Sequence, residues 1–306
     1  MAERNICSVD LLQTMSENTN VIVDENGTLN KLNIYNEFNH VNTKIDNEID
    51  TVNTNMSQFS NPNLLINSDF RNLINQRDKT EYTSNASDFV KVYTIDRWFI
   101  QHGCTLTVNE NSITITNNSG DVGYFGQSFE KELVAGYYTT TLEVLNVSGE
   151  VIMPGGKDLA KVGKNVVTEN TTSPSQGTVI TLNSGSSIEL KLWKLEHGSI
   201  ATPYMIKSPE EEVSLCQRYL QEIECLGVCN DFELGTWYMI GVPFTTSMRI
   251  NPTIESYSVL DSGFGSVNVS ISESYIDTDG IYKIILNNTG EKKMYFFKLL
   301  LSAEIY

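Results

Sequence analysis

The strand pattern between residues 61 and 207 is the feature that most constrains the fold. The segment "CTLTVNENSITITN" alternates apolar and polar residues on both sides of a short polar turn, which predicts a hairpin. The same alternation recurs in "YYTTTLEVLNVSG", "GTVITL" and "IELKLWKLE", without a helical period of useful length. Many short strands separated by turn residues favour a jelly-roll-like β-sandwich. The alternation changes face near Leu192 and Trp193, which predicts a twist or bulge there.

A short helix and a second β-rich module are predicted after this sandwich. In "SPEEEVSLCQRYLQEI", Ser208 suits the N-cap, Pro209 the first helical position and Glu211 a capping box. One buried helix face is predicted from four residues: Val213, Cys216, Leu220 and Ile223. Strand patterns return in "TWYMIGVPF", "SVNVSISESYI", "GIYKIIL" and "MYFFKLLLSAEIY". We therefore predict a domain boundary near residue 207, with modules at 61–207 and 208–306.

Residues 31–60 are predicted to form a coiled-coil neck. Apolar residues recur there at gaps of 4, 3, 4, 4, 3, 4 and 3, with polar residues between them. They are Ile34, Phe38, Val41, Ile45, Ile49, Val52, Met56 and Phe59. So narrow a stripe is typical of a self-associating helix, although a helix lying on its own domain is the alternative. β-branched residues at both core positions disfavour a dimer and favour three or more strands.

Residues 1–30 are short and polar, with one small alternating unit in "TNVIVDENGTLNKL". Val21 and Val23 share a face, and "ENG" suits a turn. A unit of this size cannot bury a core of its own. It is expected to pack against copies of itself or against another protein.

Composition narrows the range of partners. The 306 residues are 40% hydrophobic and 19% charged, and the formal net charge is −17. No segment is basic, which argues against nucleic acid and anionic membranes as partners. No apolar run has the length of a secretory signal or a membrane span, so folding in a cytoplasm is expected. The odd cysteine count argues against a disulfide framework, and the C-x8-C-x3-C cluster lacks zinc-site spacing.

Four motifs resemble modules of phage tail-fibre and receptor-binding proteins. "NPNLLINSDFRNLINQR" followed by "YTIDRW" resembles the start of one such module, and "KLEHGSIATPY" resembles its closing signature. "EEEVSLCQRYLQ" and "GVPFTTSMRINPTI" resemble the helix and strand pair that follow. These motifs occur in the expected order over residues 61–254. More loosely, "VDLLQTMSENTNVIVDENGTLNKL" resembles the attachment segment of virion fibres.

This resemblance implies a homotrimeric fibre on a virion, assembled in the host cytoplasm. Residues 1–30 would bind a virion protein, residues 61–207 would form a carbohydrate-binding-like sandwich, and residues 208–306 would form the distal tip. The resemblance does not identify the ligand; the function that we predict is binding of host cell-surface polysaccharide without turnover. Two alternatives remain open: a glycan-degrading depolymerase on a fibre scaffold, and a capsid head-fibre or decoration protein with no specific receptor. Head and tail attachment are not distinguished. One position departs from the family's pattern. The family often has two aromatic residues after Cys-Gln-Arg, whereas in this sequence Tyr219 is followed by Leu220.

Catalysis has little support in the sequence. The chain has three histidines, His40, His102 and His197, and no nucleophile-elbow pattern accompanies them. Paired carboxylates for glycoside cleavage stay open, because their separation is a three-dimensional property. Asp69 in "NSDF" offers oxygen ligands for calcium, but an ordinary turn is favoured. We therefore predict no enzyme activity, no cofactor and no metal.

Sugar binding uses aromatic faces framed by a few polar groups. Tyr124 and Phe125 lie between glycines in "GDVGYFGQ", for which a hairpin or an exposed loop is predicted. The candidate glycan-binding residues are Tyr124, Phe125, Trp237, Tyr238 and Tyr257. Trp98 and Trp193 occur within strand patterns and are assigned to the core.

Overall fold

The chain is mainly β, as predicted. The computed structural model describes residues 21–23, 29–31, 34–56, 59–229, 236–238, 242–261, 269–288 and 294–304. This part of the chain contains two helices, and its strands pair antiparallel in every sheet. Two compact units divide the chain, residues 1–60 and residues 61–306. None of the described helices is long and apolar enough to cross a membrane.

The first unit contains a two-stranded sheet and a helix. Strand β1 (Val21–Val23) pairs with β2 (Leu29–Lys31), and the predicted turn between them lies outside the described residues. Helix α1 (Ile34–Met56) confirms a helix within residues 31–60, although it is shorter at both ends than predicted.

The predicted seam of α1 is exposed in the single chain. Of the eight seam residues, the side chains of Ile34 and Met56 lie outside the described part. The exposed fractions of the others are Phe38 50%, Val41 49%, Ile45 48%, Ile49 51%, Val52 54% and Phe59 75%. The coiled coil and the trimer remain predictions.

Two antiparallel sheets form the middle of the chain. The five-stranded sheet has the order β10 (Val151–Ile152), β12 (Ser175–Leu182), β8 (Gly123–Leu133), β5 (Trp98–Gln101) and β4 (Val92–Tyr93). The six-stranded sheet has the order β11 (Gly163–Thr171), β9 (Gly136–Ser148), β13 (Ser187–His197), β7 (Ile113–Asn117), β6 (Cys104–Val108) and β3 (Glu81–Thr83). The pairing of β6 with β7 confirms the predicted hairpin.

Both sheets contribute to one apolar core, the arrangement of a β-sandwich. Trp98 and Trp193 are fully buried in it, which confirms their assignment to the core. The Trp98 ring stacks on Phe125 with centroids 4.9 Å apart, and its Nε1 donates to the Asn67 carbonyl oxygen at 2.6 Å. The pairing of β13 with β9 shifts register between Leu190 and Leu192, which confirms the predicted bulge.

A third sheet holds the strands that follow residue 207. They are β14 (Leu220–Cys229), β15 (Thr236–Tyr238), β16 (Val242–Pro243), β17 (Thr253–Asp261), β18 (Val269–Ile276), β19 (Gly280–Asn288) and β20 (Met294–Ser302). Strand β20 pairs with both β14 and β17, and β17 forms the edge of the sheet. This sheet belongs to the same compact unit as the sandwich, and the domain boundary near residue 207 stays a prediction.

Helix α2 (Pro209–Gln217) precedes this sheet and begins where predicted. The Ser208 side chain accepts a hydrogen bond from the Glu211 backbone N–H at 3.2 Å, as an N-cap does. The predicted helix face is wrong at Leu220 and Ile223, because the chain has already entered β14 there. Ladder pairing with β20 takes the place of the last helical turn.

Candidate functional site

The segment around Tyr124 and Phe125 is a strand, so its prediction as a loop or hairpin is wrong. Both residues lie in β8, between β5 and β12. The neighbouring Gly126 serves strand packing, because a Cβ there would lie 2.2 Å from the Thr178 carbonyl oxygen. Phe125 is fully buried against Trp98 and presents no face to a sugar, which corrects its assignment as a binding residue.

Tyr124 lies on the opposite face of β8, away from the core. Successive side chains of a strand alternate in direction, so the buried Phe125 implies that Tyr124 points outward. Register places Tyr124 opposite Gln101 on β5 and opposite Thr181 on β12. All three are half-buried, and directly paired residues have Cβ atoms about 4.5–5.5 Å apart. They therefore form one continuous row across three strands.

Phe89 extends this row at the Gln101 end. The Gln101 side-chain amide donates to the Phe89 carbonyl oxygen. The Phe89 ring stacks on His102, with centroids 4.4 Å apart and planes inclined by 12°. The Phe89 side chain is nevertheless 67% exposed, so part of the ring is accessible to a ligand. We call the surface formed by Phe89, Gln101, Tyr124 and Thr181 the platform.

The platform combines the groups that a neutral sugar needs. Two aromatic rings can lie against the apolar face of a pyranose, while the Gln101 amide and the Thr181 hydroxyl can bond its hydroxyl groups. The backbone positions of Gln101, Tyr124 and Thr181 are held by a sheet rather than by loops, so the row is pre-organised. Sequence reasoning missed Phe89, a single aromatic in the polar segment "SNASDFVKV".

The other predicted glycan-binding residues lie in the third sheet, in β15 and β17, away from these strands. Tyr257 is 41% exposed on β17. Trp237 and Tyr238 lie in β15, but their side chains are outside the described part. Tyr124 is thus the single predicted residue that the structure places on the platform.

Residues of the "DRW" and "CQRY" motifs contact each other between the sandwich and the third sheet. We call this contact region, which includes Arg97, Tyr219 and Glu304, the joint. Arg97 is almost fully buried and its Nη1 lies 2.5 Å from the carboxylate of the buried Glu304. The Arg97 guanidinium also lies over the Tyr219 ring, 3.5 Å from its centroid. Burial raises the pKa of Tyr219 to about 12, so its hydroxyl stays protonated and donates to Glu130 at 2.8 Å.

The "QR" motif reinforces the same joint. The Gln76 amide donates to the Leu220 carbonyl oxygen at 2.7 Å. Arg77 makes a forked ion pair with Glu255, with N–O distances of 2.7 and 2.8 Å. These contacts give the motif residues a structural role that accounts for their positions without a ligand.

The closing signature has a structural role as well. Lys194 and Glu196 form a buried ion pair of 3.0 Å on β13. Lys194 also donates to the Thr202 hydroxyl at 2.7 Å and to the Pro203 carbonyl oxygen at 2.9 Å. The Thr202 backbone N–H donates to Glu196 at 2.9 Å. The "ATP" segment is thereby tied to the last strand of the sandwich.

The described residues offer little for metal or covalent chemistry. They include no group of three or more His, Cys, Asp or Glu side chains that could hold a metal ion. Cys104 and Cys216 are buried free thiols, and burial raises the pKa of the Cys104 thiol to about 12. The Asp69 carboxylate, considered above for calcium, accepts two hydrogen bonds from Arg71 at 2.6 and 2.8 Å. The side chains of Cys225 and Cys229 are outside the described part.

Comparisons with known proteins do not assign a family. No family model matches the chain, and no curated protein matches it. Two solved structures of discoidin II from Dictyostelium discoideum are similar to it at 13% sequence identity. The match to the wild-type structure covers 62% of this chain and 81% of the discoidin II chain, with a TM-score of 0.20. The match to the native recombinant structure covers 61% of this chain and 80% of the discoidin II chain, with a TM-score of 0.19. At these TM-scores the likeness carries no argument about fold or function.

Proposed function

We propose that this chain is a virion fibre subunit of a bacteriophage that binds host surface glycan without turnover. The observation that carries the proposal is the platform, which lies on the outer face of a β-sandwich. The phage context is supported by the ordered motifs over residues 61–254 and by their resemblance to fibre proteins.

The exposed seam of α1 supports a trimeric fibre. A row of apolar side chains that are about half exposed on a solitary helix is costly in water and is buried by self-association. Three linked copies would multiply weak binding to a repeating polysaccharide. In this proposal residues 1–30 attach the fibre to another virion protein.

Removal of the platform aromatics is expected to weaken glycan binding. Aromatic contacts of this kind are worth roughly 0.5–1.5 kcal/mol each, so the double variant Phe89→Ala with Tyr124→Ala should lose about tenfold or more in affinity. The measurement is equilibrium binding of the full chain to immobilised host polysaccharide. Tyr137→Ala is the matched control, because Tyr137 is 53% exposed on β9 of the other sheet. Equal losses in both variants would rule out the platform as the binding surface.

Absence of turnover is tested on the same polysaccharide. Incubation with the full chain should leave its viscosity and its content of reducing ends unchanged. Release of reducing ends would replace the binding proposal with the depolymerase alternative. Failure to bind any host surface, together with tight binding to a capsid protein, would instead favour the decoration alternative.

A further inference from the structure

A cleft of about 380 Å³ lies beside the joint, at the far end of β8 from Tyr124. Its volume falls within the range that small-molecule sites occupy, about 300–1,000 Å³. Leu64, Ile66, Phe129 and Leu133 form its apolar wall. Phe129 lies five positions along β8 from Tyr124, or about 17 Å of strand, so the apolar wall of the cleft and the platform are separate surfaces.

The guanidinium of Arg218 is held in place by a carboxylate of the cleft. Arg218 is 43% exposed, and its Nη2 lies 2.9 and 3.1 Å from the two carboxylate oxygens of Glu130. Glu130 also accepts the Tyr219 hydroxyl hydrogen bond at 2.8 Å. With both of its oxygens engaged, Glu130 fixes the guanidinium at the rim and leaves its other N–H groups for a ligand.

The cleft carries an excess of positive charge. Arg97, Lys131 and Arg218 line it, and Lys91 donates to the Ser128 hydroxyl in its wall at 3.0 Å. Among the ion pairs of the described residues, Glu304 opposes Arg97 and Glu130 opposes Arg218, so Lys131 supplies the excess positive charge of the lining. In a chain of net charge −17, this cleft is a local site for an anion.

We propose that the cleft binds an acidic sugar, a pyranose whose ring lies on the apolar wall and whose carboxylate meets Arg218 and Lys131. Lys131 is exposed and makes no ion pair within the described part of the chain. A guanidinium pairs with a carboxylate through two parallel hydrogen bonds, and the neighbouring ammonium adds a point charge. This inference rests on the proposed glycan-binding function and specifies one class of sugar within it.

The test is calorimetric titration of the full chain with glucuronate and galacturonate, with glucose and acetate as comparison ligands. A uronate should bind more tightly than glucose or acetate, and added salt should weaken its binding. The double variant Arg218→Ala with Lys131→Ala should lose at least about tenfold in uronate affinity. The control variant is Lys161→Ala with Lys164→Ala, which removes two exposed lysines, one just before β11 and one in it. This control should retain the uronate affinity.

Several outcomes would overturn the inference. They are equal binding of glucose and uronate, acetate binding as tight as uronate binding, no detectable uronate binding, or unchanged affinity in the Arg218 and Lys131 variant. Thermal unfolding of both double variants checks that each is folded. Polysaccharide binding that depends on Phe89 and Tyr124 while uronates fail to bind would refute the acidic-sugar site and leave the proposed function intact.

Discussion

Replacing both Ile45 and Ile49 with aspartate is expected to convert a three-chain assembly into single chains. The two side chains are 48% and 51% exposed on α1, and the proposed trimer buries them in its seam. Unpaired carboxylates in such a seam lose their hydration without gaining a partner, which is far more costly than the lost apolar contact. Light scattering should report three times the 34.3 kDa chain mass before the change and 34.3 kDa after it.

The same variant should also bind a repeating polysaccharide much more weakly. Linked sites gain about 10²–10⁴ in avidity over single sites, and dissociation removes that gain. Asn42→Asp with Asn47→Asp is the matched control, because it adds the same charge at exposed polar positions of the same helix. An unmodified chain that already weighs 34.3 kDa would contradict the trimer, and an unchanged mass in the variant would contradict the role of this seam.

Arg97→Ala is expected to destabilise the folded chain strongly. Removal of one partner from a buried ion pair leaves the other charge unpaired, which costs about 3–5 kcal/mol. The remaining partner, Glu304, is almost fully buried and lies in the last described residues of the chain. Arg97 also has a φ of 74°, a strained conformation that the ion pair and the Tyr219 ring hold in place. Denaturant unfolding of the full chain measures the loss.

Lys191→Ala is the control for this prediction. Its ion pair with Glu143 has side chains 36% and 41% exposed, and such pairs contribute about 0–1 kcal/mol. Similar losses of unfolding free energy in the two variants would show that the Arg97 pair does not hold the joint together.

Local strand patterns were predictable because their pairing is local. The hairpin of β6 and β7 joins residues close in sequence, and alternation alone specifies its buried face. The prediction failed at Tyr124 and Phe125 because glycine density was taken as a sign of a loop. Gly126 is instead required by the close approach of Thr178, a neighbour that only the tertiary structure brings into place.

The joint shows a second limit of sequence reasoning. Arg77 and Arg97 stand out in the sequence as motif residues, but their partners Glu255 and Glu304 lie 178 and 207 residues away. Nothing in the acidic C-terminal part distinguishes these two carboxylates beforehand. The platform could not be predicted for the same reason. Phe89 is joined to the row of Tyr124 by a hydrogen bond from the Gln101 side-chain amide to its carbonyl oxygen, and no sequence spacing predicts this contact.

The most direct test of the account is saturation binding of the full chain to a panel of bacterial surface polysaccharides. Reducing ends are assayed in the same samples, and the Phe89 and Tyr124 double variant is run in parallel. The account predicts saturable binding to at least one polysaccharide, no release of reducing ends, and weaker binding by the double variant. Binding that the double variant retains in full, or cleavage of the polysaccharide, would contradict it.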